Sequence, residues 1–258
     1  MHTDEPVLLA QLSDLHAGIA GRDRDPIERL TAVVAAVAAL DPAPVAVVVT
    51  GDLTQNGRPA EYERVRELLA PLRMPVHVLP GNHDDRDALR AALVPAAADA
   101  MPGYVQYTAR AGRLRLLVCD TVVPGHDGGR MCDERLGWLD AQLAADRSTP
   151  TVVAMHHPPL VTGIEAMDAI GLDAATRTAL ADMLDRAPNV RRVVAGHVHR
   201  TMLATCGDRP VFTCPSTDLA IGLDLAPGAD LAIHAEPAAF ALHLDVAGGM
   251  TTHVQPVA

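Results

Sequence analysis

The sequence predicts an α/β protein, and three observations predict it. Short apolar runs rich in Val and Leu alternate with segments of helical periodicity. Polar clusters carrying His, Asp or Asn follow five of those runs directly. After Thr201 the alternation gives way to short strand-like runs with no helical pattern between them.

Taken in order, Val7 to Leu12 is a short apolar run closed by polar residues and reads as a buried strand. Ile27, Leu30, Val33, Val34, Val37 and Leu40 recur at helical spacing, with Pro26 in the first turn, where proline is tolerated. Val45 to Val49 is a β-branched run between proline-rich and Gly-Asp punctuation, the pattern of a strand buried on both faces. Tyr62, Val65, Leu68, Leu69 and Leu72 mark a second helix, and Val76 to Leu79 a third strand.

Leu114 to Cys119 and Thr151 to Met155 read as strands on either side of a helix around Arg135 to Asp146. A helix over Thr176 to Arg186 precedes a strand over Val190 to Ala195. The tail carries strands at Met202 to Cys206, Pro210 to Cys214, Ala239 to Val246 and Thr251 to Val254, expected to pair antiparallel and close a second sheet. With no repeat or low-complexity linker, residues 1–258 read as a single domain, about 200–258 completing that second sheet.

Composition narrows the function. Hydrophobic residues are 49% of the chain, ample for a core, but aromatics are 2%, too few for base-stacking on single-stranded nucleic acid. A net charge of -11 with scattered arginines argues against a nucleic-acid polymer or an acidic membrane as partner. No window approaches the roughly 18 to 20 apolar residues of a membrane span. Met1 to Pro6 is acidic and polar, with no signal-peptide pattern, so a cytoplasmic location is expected. Cys119, Cys132, Cys206 and Cys214 have no C-x-x-C spacing; Cys206 and Cys214 flank a turn at a distance that leaves a cross-hairpin pair open.

The chemistry lies in the clusters after the strands. They are Asp14-Leu15-His16, Gly51-Asp52, Gly81-Asn82-His83-Asp84, His156-His157-Pro158-Pro159 and Gly196-His197-Val198-His199. Ligands of open α/β sheets bind at the carboxyl ends of the strands, where all five map. Oxygen and imidazole donors suit Mn, Fe, Co, Ni or Zn. One such cluster says little, whereas five at successive strand ends point to a metal site. In Gly-His-Val-His, alternation along an extended segment would turn both rings the same way.

Asp14-x-His16, Gly51-Asp52, Gly81-Asn82-His83-Asp84, His156 and Gly196-His197-x-His199, in that order, resemble the calcineurin-like metallophosphoesterase superfamily from about Val7 to Arg200. Gly81 to Arg86 and His156-His157-Pro158-Pro159 are similar to its bacterial class III cyclic-nucleotide phosphodiesterase and glycerophosphodiesterase branch. The resemblance implies a four-layer αββα sandwich of two mixed β-sheets flanked by helices. It implies two divalent metal ions, Fe or Mn favoured and Zn or Co admissible. Asp14, His16 and His199 would hold one, and Asn82, His156 and His197 the other, with Asp52 bridging. Choosing His156 over His157 follows the family pattern; His157 is then a supporting or packing residue, with the ligand role as the alternative.

Two divalent cations bring +4 and Asp14 with Asp52 return -2, so a bridging hydroxide leaves roughly +1 facing a phosphodiester on an acidic protein. That hydroxide needs no protein base. His83, beside Asn82, is the candidate to bind phosphate and protonate the leaving oxygen. The resulting expectation is a phosphodiesterase acting on small diesters, with 3',5'-cyclic AMP leading. A glycerophosphodiesterase or broad-specificity phosphoesterase is the alternative, and an inactive metal-binding scaffold comes last.

Departures from related branches agree with this. Gln55 stands where the purple acid phosphatases carry a Tyr, and Gly51 to Asn56 lacks the Gly-Asp-x-x-x-Arg-Gly of the protein phosphatases. Leu160 to Asp173 and Asp218 to Pro227 are the candidate pocket walls, with Met167 as a lining residue and a plain surface connection the alternative for the first. His126 and Asp127 are candidate rim residues or an ordinary turn, and Ser13, Thr50 and Asp120 candidate supporting residues. A homodimer is the commonest oligomer of soluble proteins.

Overall fold

The structure is a computed structural model that describes residues 5–18, 25–95 and 101–257. The first four residues of the acidic N-terminal segment lie outside that range. In chain order the first half holds β1 (Val7–Leu12), α1 (Pro26–Ala38), β2 (Ala46–Thr50), α2 (Pro59–Leu69), β3 (Val76–Leu79), α3 (Arg86–Leu93), β4 (Tyr107–Ala111) and β5 (Leu114–Val118). There follow α4 (Asp133–Ala145), β6 (Thr151–Ala154), α5 (Glu165–Ala169), α6 (Ala174–Asp185) and β7 (Val190–Ala195). The tail is β8 (Met202–Cys206), β9 (Arg209–Thr213), β10 (Ala220–Ile221), β11 (Ile233–His234), β12 (Ala238–Val246) and β13 (Gly249–Val257).

Local chemistry sets the helix starts. Asp25 caps α1 by accepting from the Ile27 N–H at 2.8 Å, and Pro26 fills the first turn without losing a needed donor. Asp85 and Asp173 cap α3 and α6 in the same way, accepting from the Ala88 and Thr176 N–H groups.

The strands form two mixed sheets, of order β13-β12-β1-β2-β3 and β4-β5-β6-β7-β9-β8. In the first, β1, β2 and β3 run parallel and β12 pairs antiparallel with β1. In the second, β5, β6, β7 and β9 run parallel, with β4 and β8 antiparallel at the edges.

Side-chain alternation shows how the layers stack. Leu114, Leu116 and Val118 of β5, Val152 and Ala154 of β6 and Val194 of β7 pack in one core with β1 to β3 and helices α1 and α2. Their alternate neighbours Leu117, Val153, Val193 and Ala195 pack with Leu139 and Leu143 of α4 and Leu180 and Leu184 of α6. Helices, sheet, sheet, helices is therefore the order, the four-layer αββα sandwich the motifs imply.

Two polar bridges tie the sheets. Gln11 Nε2 donates to Ala195 O at 3.0 Å, and the Tyr107 hydroxyl accepts from Val78 N (3.1 Å) and donates to Val78 O (2.9 Å). Tyr107→Phe strands both buried backbone groups, so a loss of about 2 kcal/mol is expected in urea unfolding.

The tail divides differently from the expectation. β8 and β9 do complete the second sheet, but β12 and β13 extend the first beyond β1. An antiparallel hairpin pattern reveals pairing, not which open edge receives it; β12 packs Ala238 and Phe240 into the first core. Cys206 and Cys214 do not pair, and both thiols are free. Cys206 sits opposite Arg209 at the turn end of the β8–β9 hairpin, whereas Thr213, just before Cys214, sits opposite Met202 at its far end.

Candidate metal centre

Every sequence-predicted site residue lies just beyond a parallel strand: Asp14 and His16 after β1, Asp52 after β2, Asn82 and His83 after β3, His156 after β6, His197 and His199 after β7. The two sheets turn these ends toward one another, and all eight side chains meet. The loops cross-link through main-chain bonds, Asp14 N to Gly51 O (3.1 Å), His16 N to Asp52 O (2.9 Å) and Gly196 N to His156 O (3.0 Å).

The backbone there is unusual. Among the described residues, the non-glycine positions with positive φ are Asp14, His16, Asp52, His197 and His199, at 46° to 70°. L-residues visit this left-handed region at a cost of about 1–3 kcal/mol, and they keep it where the surroundings over-determine it. These bends, not strand alternation, aim the rings: Gly196 to His199 leaves β7 in a turn, and His197 and His199 face different partners. Gly81 and Gly196 permit the close approach. A Cβ on Gly81 would strike Asp52 Oδ1, and one on Gly196 would strike the Ser13 hydroxyl and Asp14 Oδ2.

Carbonyl partners fix the tautomers, because a carbonyl oxygen only accepts. His199 Nδ1–H donates to Leu219 O at 2.9 Å and His156 Nδ1–H to Thr50 O at 2.8 Å. His16 Nδ1–H donates to Gln55 Oε1 at 2.9 Å. Each ring thus presents a lone pair on Nε2. His16 Nε2 and His199 Nε2 face each other at 3.2 Å, with Asp14 Oδ1 3.4 Å from His199 Nε2. His156 Nε2 faces Asn82 Oδ1 at 3.1 Å, and His197 Nδ1 lies 3.2 Å from the same oxygen. Asp52 Oδ2 sits between the groups, 3.7 Å from His16 Nε2 and 3.5 Å from His156 Nε2, while Oδ1 accepts from His83 N at 2.9 Å. Converging acceptors of this kind repel unless positive charge lies among them, so the donor set fits divalent cations.

Proximity alone also groups His157 with His156 and His197. Both His157 nitrogens are engaged, however: Nε2–H donates to Asp127 O at 2.9 Å, and Nδ1 accepts from the Thr121 hydroxyl at 2.8 Å. Those two bonds leave His157 no free lone pair to offer a cation.

Charge follows burial. Burial holds His16 down to about 3 and His197 well below the imidazole range, the neutral form that ligation requires, and holds the packed His157 down to about 3 as well. Burial also opposes charge on His156, but Asp52 and Asp14 outweigh it and push that ring up to about 9. Burial works to raise Asp52, yet His156 and His16 hold it well below the carboxylate range. Asp14 is raised by burial, with His199 and His156 pulling back.

Asp84 stands in the motif, where the sequence alone suggests no role for it. Its buried carboxylate accepts from Gly81 N (2.9 Å), Leu53 N and Thr54 N (3.1 Å each), Thr54 Oγ1 and Tyr62 OH (3.0 Å each). It thereby bolts the Asp52 loop to the Asn82 loop. The Thr50 hydroxyl donates to the Ser13 hydroxyl at 2.7 Å, and Thr50 O accepts from His156 Nδ1–H. Asp120 instead joins Arg86 and Arg135 in a buried ion-pair cluster outside the site.

The cluster floors a cavity of about 180 Å³ that opens to solvent. Its wall is aliphatic: Met167, Ile170, Leu219, Ile221, Leu231 and Ile233, with Asp218 beside them. Both candidate wall segments contribute, the first through α5, while Leu231 and Ile233, at and beside β11, carry no pattern in the sequence that marks them. His126 and Asp127 line a separate open depression with Arg130, meeting the first only at Ile170.

Two mixed sheets with histidine, aspartate and asparagine gathered at their parallel strand ends define an α/β protein built around a candidate metal centre. Residues 7–201 match the family described as calcineurin-like phosphoesterase, and the chain belongs to that family. It is 36% identical over 176 residues to a glycerophosphodiester phosphodiesterase of Enterobacter lignolyticus, covering 67% of this chain and 63% of that one. It is 33% identical over 256 residues to a cAMP/cGMP dual specificity phosphodiesterase of Mycobacterium tuberculosis, covering 92% and 78%. A dimetal phosphatase from Danio rerio shares the fold, with TM-score 0.68 at 16% identity over 95% of this chain and 98% of that one.

Proposed function

We propose that this chain is a binuclear-metal phosphodiesterase of small diesters, with 3',5'-cyclic AMP its leading substrate. The observation that carries the proposal is the convergence of lone pairs from Asp14, His16, Asp52 and His199 on one side and from Asn82, His156 and His197 on the other. Asp14, His16 and His199 would hold one cation, Asn82, His156 and His197 the second, and Asp52 both. Two bound divalent ions, Fe or Mn favoured and Zn or Co admissible, would neutralise phosphoryl charge and acidify a water.

The remaining work belongs to the chain. His83 lines the cavity at its metal floor, and its Nδ1 lies 3.1 Å from Gln55 O. That carbonyl takes Nδ1–H, so the doubly protonated ring would use Nε2–H to bind a phosphoryl oxygen and hand that one proton to the leaving alkoxide, ending neutral with Nδ1–H still bonded. The aliphatic wall offers apolar contact to the faces of a nucleobase. A glycerophosphodiesterase is the second reading, favoured by the likeness to the Enterobacter enzyme. Among the described residues no helix is long and apolar enough to cross a membrane. A cytoplasmic location, in keeping with four free thiols, and a homodimer complete the proposal.

The test is turnover by metal-stripped protein reloaded with Mn, on cyclic AMP, cyclic GMP, glycerophosphocholine, an aryl diester and an aryl monoester. Metal-dependent diester turnover is expected, with Asn82→Ala lowering it about 100-fold or more. Two ions bound with no ester hydrolysed under any metal would leave the scaffold as the better account.

A further inference from the structure

We infer that Gln55 is a positioning residue that sets the His16 ring toward the metal cluster and the His83 ring toward the leaving group of the substrate. The second half rests on the proposed role of His83 as proton donor. Gln55 lies three residues past Asp52, on the loop that Asp84 bolts down through Leu53 and Thr54. Its backbone is held by a bond from its N–H to Ala17 O at 3.1 Å. The side chain therefore projects from a fixed point, and it lines the cavity between two imidazoles.

Both ends of the amide are used. Oε1 accepts from His16 Nδ1–H at 2.9 Å, which is the bond that keeps the proton off His16 Nε2. Nε2 lies 3.3 Å from His83 Nδ1, and the Gln55 main-chain oxygen lies 3.1 Å from the same nitrogen. One residue thus offers His83 Nδ1 a donor and an acceptor. With Nδ1 protonated, the main-chain oxygen takes its hydrogen; with Nδ1 bare, the amide N–H fills the place, and Nε2 then carries hydrogen toward the cavity. Either contact ties Nδ1 to the Gln55 loop and so turns the Nε2 edge of the His83 ring toward the cavity. The rings of His16 and His83 also meet edge to face, centroids 4.9 Å apart, so rotating one disturbs the other.

A purely structural amide would behave differently. A structural role predicts equal loss on every substrate, whereas a positioning role predicts loss that grows as the leaving group gets worse. A p-nitrophenolate departs without a proton, and the alkoxide of cyclic AMP does not.

The experiment compares wild type, Gln55→Leu and Gln55→Glu on p-nitrophenyl diesters, phenyl diesters and cyclic AMP, with bound Mn counted by mass spectrometry. Gln55→Leu is expected to lose bound metal and to lose about 100-fold on cyclic AMP but under about tenfold on the p-nitrophenyl diester. Gln55→Glu keeps an acceptor for His16 but replaces the donor facing His83, so it should hold the wild-type metal content while the cyclic AMP to p-nitrophenyl ratio shifts at least several-fold. An unchanged ratio in both variants overturns the His83 half, and unchanged metal in Gln55→Leu overturns the His16 half. A wild-type protein that hydrolyses no diester overturns the phosphodiesterase proposal itself, and the His83 half with it, whereas the metal counts still judge the His16 half.

Discussion

Replacing Asp52 by alanine is expected to cost at least about 1,000-fold in diester kcat/KM and to bring bound metal from two ions per chain to one or fewer. The size of the effect comes from what one side chain holds together. Oδ2 stands between His16 Nε2 and His156 Nε2, 3.7 Å and 3.5 Å away, and is the carboxylate oxygen within reach of both halves of the cluster. Oδ1 accepts from the main-chain N–H of His83, so the same residue sets where the proposed proton donor begins. Removing it also takes away half of the negative charge that Asp14 and Asp52 set against two divalent cations. With Asp14 the one carboxylate left among the proposed ligands, two like cations would repel, and the weaker site should empty first.

Asp52→Asn separates these effects. The amide oxygen can still accept from His83 N, so the loop stays, but the charge is gone. Metal loss without loop displacement is expected, read as reduced Mn stoichiometry with unchanged urea midpoint. Retention of two ions and more than a tenth of the activity in Asp52→Ala would sink the bridging assignment.

The parts of this molecule that are legible in the sequence share a reason. A strand buried on both faces must be apolar throughout, so Ala46–Thr50 announces itself, and so does the polar cluster that ends it. The five clusters can be placed at strand ends because the alternation of strands and helices is regular. Features written in fewer residues leave no such trace. β10 and β11 are two residues each, too short for any period, yet they carry Ile221 and Ile233 into the cavity wall. α3 shows one fully buried side chain, Leu89, and is hidden inside the motif that precedes it. β4 alternates Tyr107 and Ala111 inward around exposed Thr108 and Arg110, with only two buried apolar residues to mark it.

The spacing of Gly-His-Val-His places both histidines in the right region for an insufficient reason. Periodicity assumes regular backbone, and the regular backbone ends at Ala195. Beyond Ala195 the chain path is set by long-range bonds: His197 N donates to both oxygens of Asp14 at 3.1 and 3.2 Å, across 183 residues of chain. Left-handed φ at five polar residues is a tertiary property, since each bend is held by partners that local sequence does not contain.

That dependence sets the last prediction. Asp84→Ala is expected to destabilise the fold by about 3–5 kcal/mol, seen as a fall of roughly 10 °C in Tm, and to cost activity although Asp84 touches no proposed ligand atom. Its carboxylate satisfies five donors, three of them backbone N–H groups of Leu53, Thr54 and Gly81; alanine would take the acceptor from those three buried amides, while the Tyr62 hydroxyl still has Asp85 O at 3.3 Å. Burial and the nearby Asp52 push the carboxyl up to about 6, so the donors hold charge at a place that resists it. Leu53 follows Asp52 and Gly81 precedes Asn82, so relaxing these amides lets the strained Asp52 backbone, at φ 50°, fall toward ordinary geometry. The carboxylate would then leave its place between the two halves of the cluster.

Asp84→Asn is the sharper control. An amide turns one acceptor oxygen into a donor that faces either Leu53 N and Gly81 N or Thr54 and Tyr62, so it should fail nearly as badly despite its matching shape. If Asp84→Ala unfolds within about 1 kcal/mol of wild type, the donors find other partners and the loops do not depend on it. If it is destabilised as expected but keeps full metal content and turnover, the strain at Asp52 is held by the cations themselves.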